Sequence, residues 1–168
     1  MPKIIENLPQ RLQEEARRQI AESGFASMTI RSVAKGCGVG VGTVYNYYPS
    51  KEALVASFML SDWMACIAII QDAAANSEGL EPVLQVIYDQ ISSFLDKYDL
   101  IFGDPAASLS YTGSSSRYHS MLRSQLAAPI RKFCRDDFSA EFIAEAMLTW
   151  TVAGKDFDEL KGVLLRIN

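Results

Sequence analysis

Four glycines fall at every second position, 36, 38, 40 and 42, inside the stretch Thr29–Lys51, TIRSVAKGCGVGVGTVYNYYPSK. No single regular element runs comfortably through such a segment, because glycine lowers the order of the chain and favours turns. Ahead of it, Ile30, Val33 and Ala34 put apolar groups on one face of a short helix. Gly36 and Gly38 flank Cys37, where that helix must stop and the chain must turn; glycine tolerates the positive φ of such a turn. Val39 supplies an apolar anchor, and Val41 to Tyr48 forms a second helix, too short to be stable unless its neighbours hold it. Its free edge offers Thr43, Tyr45, Asn46 and Tyr47, with Lys51 just beyond. These groups reach phosphate oxygens and base edges, which is the chemistry of a helix-turn-helix whose second helix enters the major groove. A phosphate-cradling nucleotide loop is the competing reading of the glycines. Their spacing fits neither G-x-G-x-x-G nor the P-loop, and no strand-like run precedes them.

At these residues the chain resembles the TetR family of bacterial transcriptional repressors. The resemblance is carried by Thr29, Arg31, Ala34, Gly38, Val39, Gly42, Thr43, Val44, Tyr45, Tyr47, Tyr48, Ser50, Lys51, Glu52 and Leu54, and covers about the first third of the chain. Gly40 departs from the small polar residue, often serine, that opens the second helix in that family; it offers no side-chain oxygen to cap or to touch a base.

Net charge is −4, which on its face disfavours a polyanionic partner. The distribution resolves this. Through Lys51 there are seven Lys or Arg against four acids, a charge of +3; from Glu52 onward there are nine against sixteen, a charge of −7. A basic head on an acidic body engages DNA with one end only. Cys37, Cys66 and Cys134 form no C-x-x-C pair, and the single histidine, His119, completes no zinc set. Reduced packing cysteines and a cytoplasmic location are the expectation. No signal peptide opens the sequence, and the most apolar run, Phe58 to Ile70, contains Asp62 and reads as too short for a bilayer, so no membrane is expected.

Along the chain, Asn7 caps a first helix with Pro9 in its first turn and Leu8, Leu12, Ala16 and Ile20 as its stripe, ended by Gly24. Ser50 caps a long helix to about Asn76 that is apolar nearly all round. Helical spacing continues from Glu81 to Phe102 and is interrupted at Gly103–Pro105. A short helix over 106–111 and a serine-rich loop over 113–116 follow. Tyr118 to Cys134 reads as a helix that Pro129 must kink or break. Ser139, as a cap, opens a helix to Ala153; Gly154 stops it, and Asp156 to Ile167 is the last. With no period-two segment, the expected fold is all-α: a three-helix DNA-binding head, residues 1–51, and a helical ligand-binding and dimerisation body, residues 52–168.

No catalytic set, paired-carboxylate motif or metal-ligand spacing stands out, so neither an enzyme nor a cofactor is expected. Arg31, Gly42, Thr43, Tyr45, Asn46, Tyr47 and Lys51 are the expected DNA contacts. Arg31 and Asn46 suit bidentate base readout, Tyr45 and Lys51 suit phosphate, and Gly42 admits close backbone approach. In the body, Trp63, Ile91, Phe94, Tyr98, Tyr118, His119, Met121 and Leu122 supply the walls and polar handles of an apolar effector pocket. The terminal helices carry two apolar stripes, Phe142, Ile143, Ala146, Met147 and Trp150, then Phe157, Leu160, Val163, Leu164 and Ile167. The resemblance implies that this region pairs as a four-helix bundle in a homodimer, and that the chain is a repressor of a palindromic operator released by a small molecule. An α-helical small-molecule binding protein, or a constitutive DNA binder without ligand control, is the alternative.

Overall fold

In the computed structural model, which describes residues 6–105 and 115–167, every regular element among those residues is helical. The described residues pack as two compact units, one of residues 6–61 and 98–105, the other of 62–97 and 115–167. This division by packing falls at Ser61, inside a helix.

The first unit opens with α1, Leu8–Ser27, whose four-residue stripe Leu8, Leu12, Ala16 and Ile20 is buried as its spacing predicts. Asn7 precedes it, but in the left-handed region (φ 57°) and without a side-chain capping bond. Gly24 does not end the helix outright. At φ 80° and ψ 164° it breaks the path, and a last turn brings Phe25 into the core. Thr29 then caps α2, Ile30–Cys37, through a reciprocal box with Ser32: each backbone amide donates to the other's hydroxyl, both at 3.0 Å. Gly38 takes φ 68° at the far end, and the Gly38 and Val39 amides return to the carbonyls of Lys35 and Ala34.

The next helix, α3, spans Val41–Tyr45 and is shorter than the expected run to Tyr48. Beyond it the amides of Asn46, Tyr47 and Tyr48 still bond back to Gly42 and Val44, so the segment keeps a helical course as a turn. Ser50 Oγ accepts from the Ala53 amide at 3.1 Å and caps α4, Lys51–Asn76. By length and composition the whole of α4, which extends well beyond the run Phe58 to Ile70, is apolar enough to cross a membrane. A helix buried within a protein passes the same test, and α4 does bury Leu54, Val55 and Phe58 in the first unit and Trp63, Ile67, Ile70 and Ala74 in the second.

The expected helix from Glu81 to Phe102 is two elements: α5, Leu80–Lys97, and a single turn, α6, Asp99–Phe102. Tyr98, at φ −111° and ψ 14°, leaves the helical region and separates them. The expected short helix at 106–111 and residues 113–114 of the serine-rich loop lie outside the described residues, while 115 and 116 open the next helix. Helix α7, Ser115–Ile130, starts earlier than expected and ends one residue after Pro129, and a 3₁₀ turn, Arg131–Phe133, continues it. Asp136, not Ser139, caps α8, Asp137–Val152: its carboxylate accepts from the Ser139 amide at 2.7 Å. After Gly154 (φ 67°) comes α9, Phe157–Ile167.

In the second unit α5, α7, α8, α9 and the later part of α4 share one core. Val83, Leu84 and Ile87 of α5 meet Leu126 and Ile130 of α7, Ile143 and Met147 of α8, and Leu164 of α9. All are nearly or wholly shielded from water. At about 1.5–3 kcal/mol for each large aliphatic side chain, this burial is the main source of the body's cohesion.

Candidate nucleic-acid interface

The geometry of α2 and α3 divides their side chains sharply. Ile30, Val33, Ala34 and Cys37 of α2 are buried against α1, and Val44 of α3 is wholly buried. Tyr48 is buried too, its hydroxyl accepting from Gln13 Nε2 at 3.0 Å and donating to the Pro9 carbonyl at 3.4 Å. These anchors leave the opposite edge to solvent. Tyr45 is 51% exposed and Tyr47 49%, and Asn46, Gly42 and Arg31 are exposed as well, with Thr43 half-buried. Two large aromatics held in the open on a five-residue helix and the turn after it are costly to leave wet, and they flag a surface built for a partner. Thr29, Ile30, Arg31, Val41, Tyr45, Pro49, Ser50 and Lys51 line a shallow open depression along this edge.

Gly38 and Gly36 shape the site by different means. Gly38 holds a backbone conformation that side chains disfavour. Gly36 is helical, but a Cβ there would stand 2.1 Å from Glu15 Oε1. That carboxylate accepts from Arg18 Nη2 and Gln19 Nε2, both at 2.7 Å, and the two contacts, Arg18's first, hold its carboxyl below the usual carboxylate range.

Lys51 requires a correction. Its ammonium donates to the carbonyl of Phe25 and, at 3.4 Å, to that of Ala26, and lies 4.0 Å from the centre of the Phe25 ring. Partial burial lowers its pKa below the ordinary lysine value. The side chain therefore closes the end of α1 and is not held out for phosphate. A threonine, glycine or tyrosine at the same edge carries no such internal obligation.

The expected pocket residues fall in different surroundings. Trp63, Ile91, Phe94 and Leu122 belong to the second unit's core. Trp63 donates Nε1–H to Gln125 Oε1 at 2.7 Å, and its ring meets Phe94 edge-on at 5.5 Å. Tyr98 belongs to the first unit, where its ring stacks on Phe58 and its hydroxyl accepts from Arg17 at 2.9 Å. Tyr118 and Met121 are exposed at 56% and 37%. His119 Nε2 lies within hydrogen-bond distance of Glu145, at 2.8 Å, beside the α7–α8 ion pair of Arg123 with Glu141 at 3.0 Å.

The expected dimer stripes also divide. Ile143, Met147, Phe157, Leu160 and Leu164 are consumed by the core of their own chain, which corrects their assignment to a partner. Ala146 and Trp150 are half-buried against that core, Trp150 donating Nε1–H to the Asp156 carbonyl at 3.0 Å. Phe142, at 48%, and Val163, at 55%, stay exposed. Sequence reasoning missed Phe138, 77% exposed, and Val152, 58% exposed. Phe138, Phe142, Thr149 and Val152 fall on one side of α8 at helical spacing, and the two phenyl rings stack at 6.3 Å. That spacing was the available signal.

Residues 12–58 match the profile of bacterial regulatory proteins, tetR family. Over 58 residues the chain is 34% identical to the HTH-type transcriptional regulator UidR of Escherichia coli K12, a match covering 34% of this chain and 30% of UidR. Among solved structures, the TetR family repressor AlkX of Dietzia sp. aligns over 96% of this chain and 94% of its own, with a TM-score of 0.63 and 16% identity. Thermus thermophilus FadR, a transcriptional repressor in complex with lauroyl-CoA, aligns over 95% of this chain and 92% of its own, with a TM-score of 0.63 and 21% identity. At those identities the likeness is one of fold, and the sequence match to UidR spans under a third of that relative's length.

Proposed function

We propose that this chain, whose residues 12–58 match the tetR family of bacterial regulatory proteins, is a ligand-responsive transcriptional repressor. It binds a palindromic double-stranded operator in the cytoplasm as a homodimer, and a small apolar effector releases it. Residues 1–51 supply the DNA-binding part and 52–168 the effector-binding and dimerisation part. The observation that carries the reading is the exposed edge of α3: Tyr45, Asn46 and Tyr47 stand in water while Val44 and Tyr48 fix the helix beneath them. Asn46 pairs with adenine through its amide, Tyr45 and Thr43 hold phosphate, and exposed Gly42 lets the backbone come close.

The effector is an aliphatic chain, free or carried by a thioester. FadR of like fold holds lauroyl-CoA, and AlkX is implicated in biodegradation of n-alkanes. Within the second unit Met64 and Met121, partly exposed on α4 and α7, are flexible apolar groups suited to such a chain. The α4 helix starts a few residues after α3 and continues without a break to Asn76, so a displacement of its body portion is transmitted along the helix. The effector's differential affinity for the two states limits the coupling, typically to about 1–3 kcal/mol.

Fluorescence anisotropy on an operator selected from random DNA, with and without lauroyl-CoA, tests both halves. Operator affinity should fall by about 5–150-fold with the acyl thioester present. A rise in melting temperature without loss of operator affinity would remove the effector role, and failure to select any operator would remove the regulator role.

A further inference from the structure

The head's cations are mostly spent inside the protein. Of those up to Lys51, the described residues hold Arg11, Arg17, Arg18, Arg31, Lys35 and Lys51. Arg11 Nη2 donates to the Cys37 carbonyl at 3.3 Å, joining α1 to the end of α2. Arg17 lies 4.3 Å from the centre of the Phe58 ring and donates to Tyr98 Oη at 2.9 Å and to the Phe58 carbonyl at 3.3 Å. Arg18 is paired with Glu15 at 2.7 Å and Glu22 at 2.6 Å. Lys51 is bound to the carbonyls that end α1. Each would have to surrender an internal contact to reach a phosphate. Arg31 and Lys35 differ: both are exposed, and neither side chain has a hydrogen bond or ion pair with any described residue. They stand four apart on α2 and so share a face, and Arg31 lines the same depression as Tyr45 and Lys51, without the carbonyl contacts that hold Lys51.

We propose that each head meets the DNA backbone with Arg31 and Lys35 as its cations, and that neutral groups supply the rest of its grip. The proposal rests on the DNA-binding reading above; it adds Lys35, moves Arg31 from base edge to phosphate, and withdraws Lys51. Its consequence is a shallow salt dependence. Affinity falls by about 0.9 log units per log unit of salt for each phosphate neutralised, so two heads with two cations each give a slope of about −3.6. Two heads using all six described cations would give about −11. Between 50 and 200 mM salt these correspond to losses of about 150-fold and more than a millionfold.

The test is fluorescence anisotropy of the full chain on its selected operator at a series of KCl concentrations. The wild-type slope should lie between about −2 and −6, Lys35→Gln should reduce its magnitude by about 2, and Lys51→Met should leave it unchanged while lowering the melting temperature. A wild-type slope outside that range, or an unchanged slope in Lys35→Gln, overturns the proposal. So does a Lys51→Met slope reduced as much as that of Lys35→Gln. Lys35 is exposed and unpaired, so its variant folds and decides the matter even if Lys51→Met does not. Absence of any sequence-selective binding would instead overturn the regulator reading on which the proposal stands.

Discussion

Tyr45 and Tyr48 are three residues apart and have opposite tasks. The Tyr48 hydroxyl is occupied by Gln13 and the Pro9 carbonyl, so its removal disturbs the head's interior. Tyr45 is half in water, so removal of its hydroxyl leaves the fold intact and affects only a partner. Tyr45→Phe should therefore keep the wild-type melting temperature and weaken operator and random DNA alike, by roughly 1 kcal/mol for one lost hydrogen bond. Asn46→Ala should instead cost about 1–3 kcal/mol on the operator alone and relax sequence preference at its base pair. Paired anisotropy titrations on operator and random duplexes separate the two outcomes. Equal affinity of both variants for both duplexes would contradict the assignment. This split between anchor and contact was legible in the residues, because Val44 and Tyr48 sit four apart and must share the buried side. The task of Lys51 was not legible. Its ammonium finds the end of α1, more than twenty residues earlier in the chain, and no local pattern in the sequence records that meeting.

At the scale of elements, the turn between α2 and α3 sets the presentation of the whole edge. Gly38→Ala puts a side chain at φ 68°, which costs about 1–2 kcal/mol and should lower the urea midpoint accordingly. Gly36→Ala keeps a helical backbone and only forces the Glu15 side chain aside, so its loss should be the smaller of the two. Equal stability of Gly38→Ala and wild type would show that the turn differs from the one described. On the body side, α8 is tied to α7 through Glu145, whose carboxyl the hydrogen bond from His119 holds below its usual value. A carboxylate with a lowered folded pKa contributes stability that is complete above the unfolded value. That contribution is lost as pH falls through the lower, folded one. Wild type should thus lose stability more steeply than Glu145→Gln between about pH 5 and pH 3, by urea unfolding at each pH. Parallel curves would remove that contribution. Helix existence was largely readable from sequence because caps, glycines and periodicity agree. Which face of a helix turns inward was not readable where apolar residues surround it: α8 is rich in them on both sides, so Ile143 and Met147 looked as available as Phe138 and Phe142.

At the scale of the whole molecule, we propose the exposed stripe of α8 and α9 as the dimer's contact surface. Phe138, Phe142, Val152 and Val163 are large apolar side chains that their own chain leaves in water. Burying them against a second copy gains about 25 cal/mol for each Å² of apolar surface removed from water. Phe142→Glu should therefore yield a folded monomer by sedimentation velocity at micromolar concentration, and operator affinity should drop with it because one head reads only a half-site. A variant that stays dimeric would place the interface elsewhere. The central claim, that the exposed α3 edge reads DNA in pairs, is tested most directly by selecting bound duplexes from a random pool with the full chain. The account predicts enrichment of an inverted repeat whose half-sites lie about one helical turn, roughly 35 Å, or somewhat more apart. Recovery of sequences indistinguishable from the starting pool would contradict it.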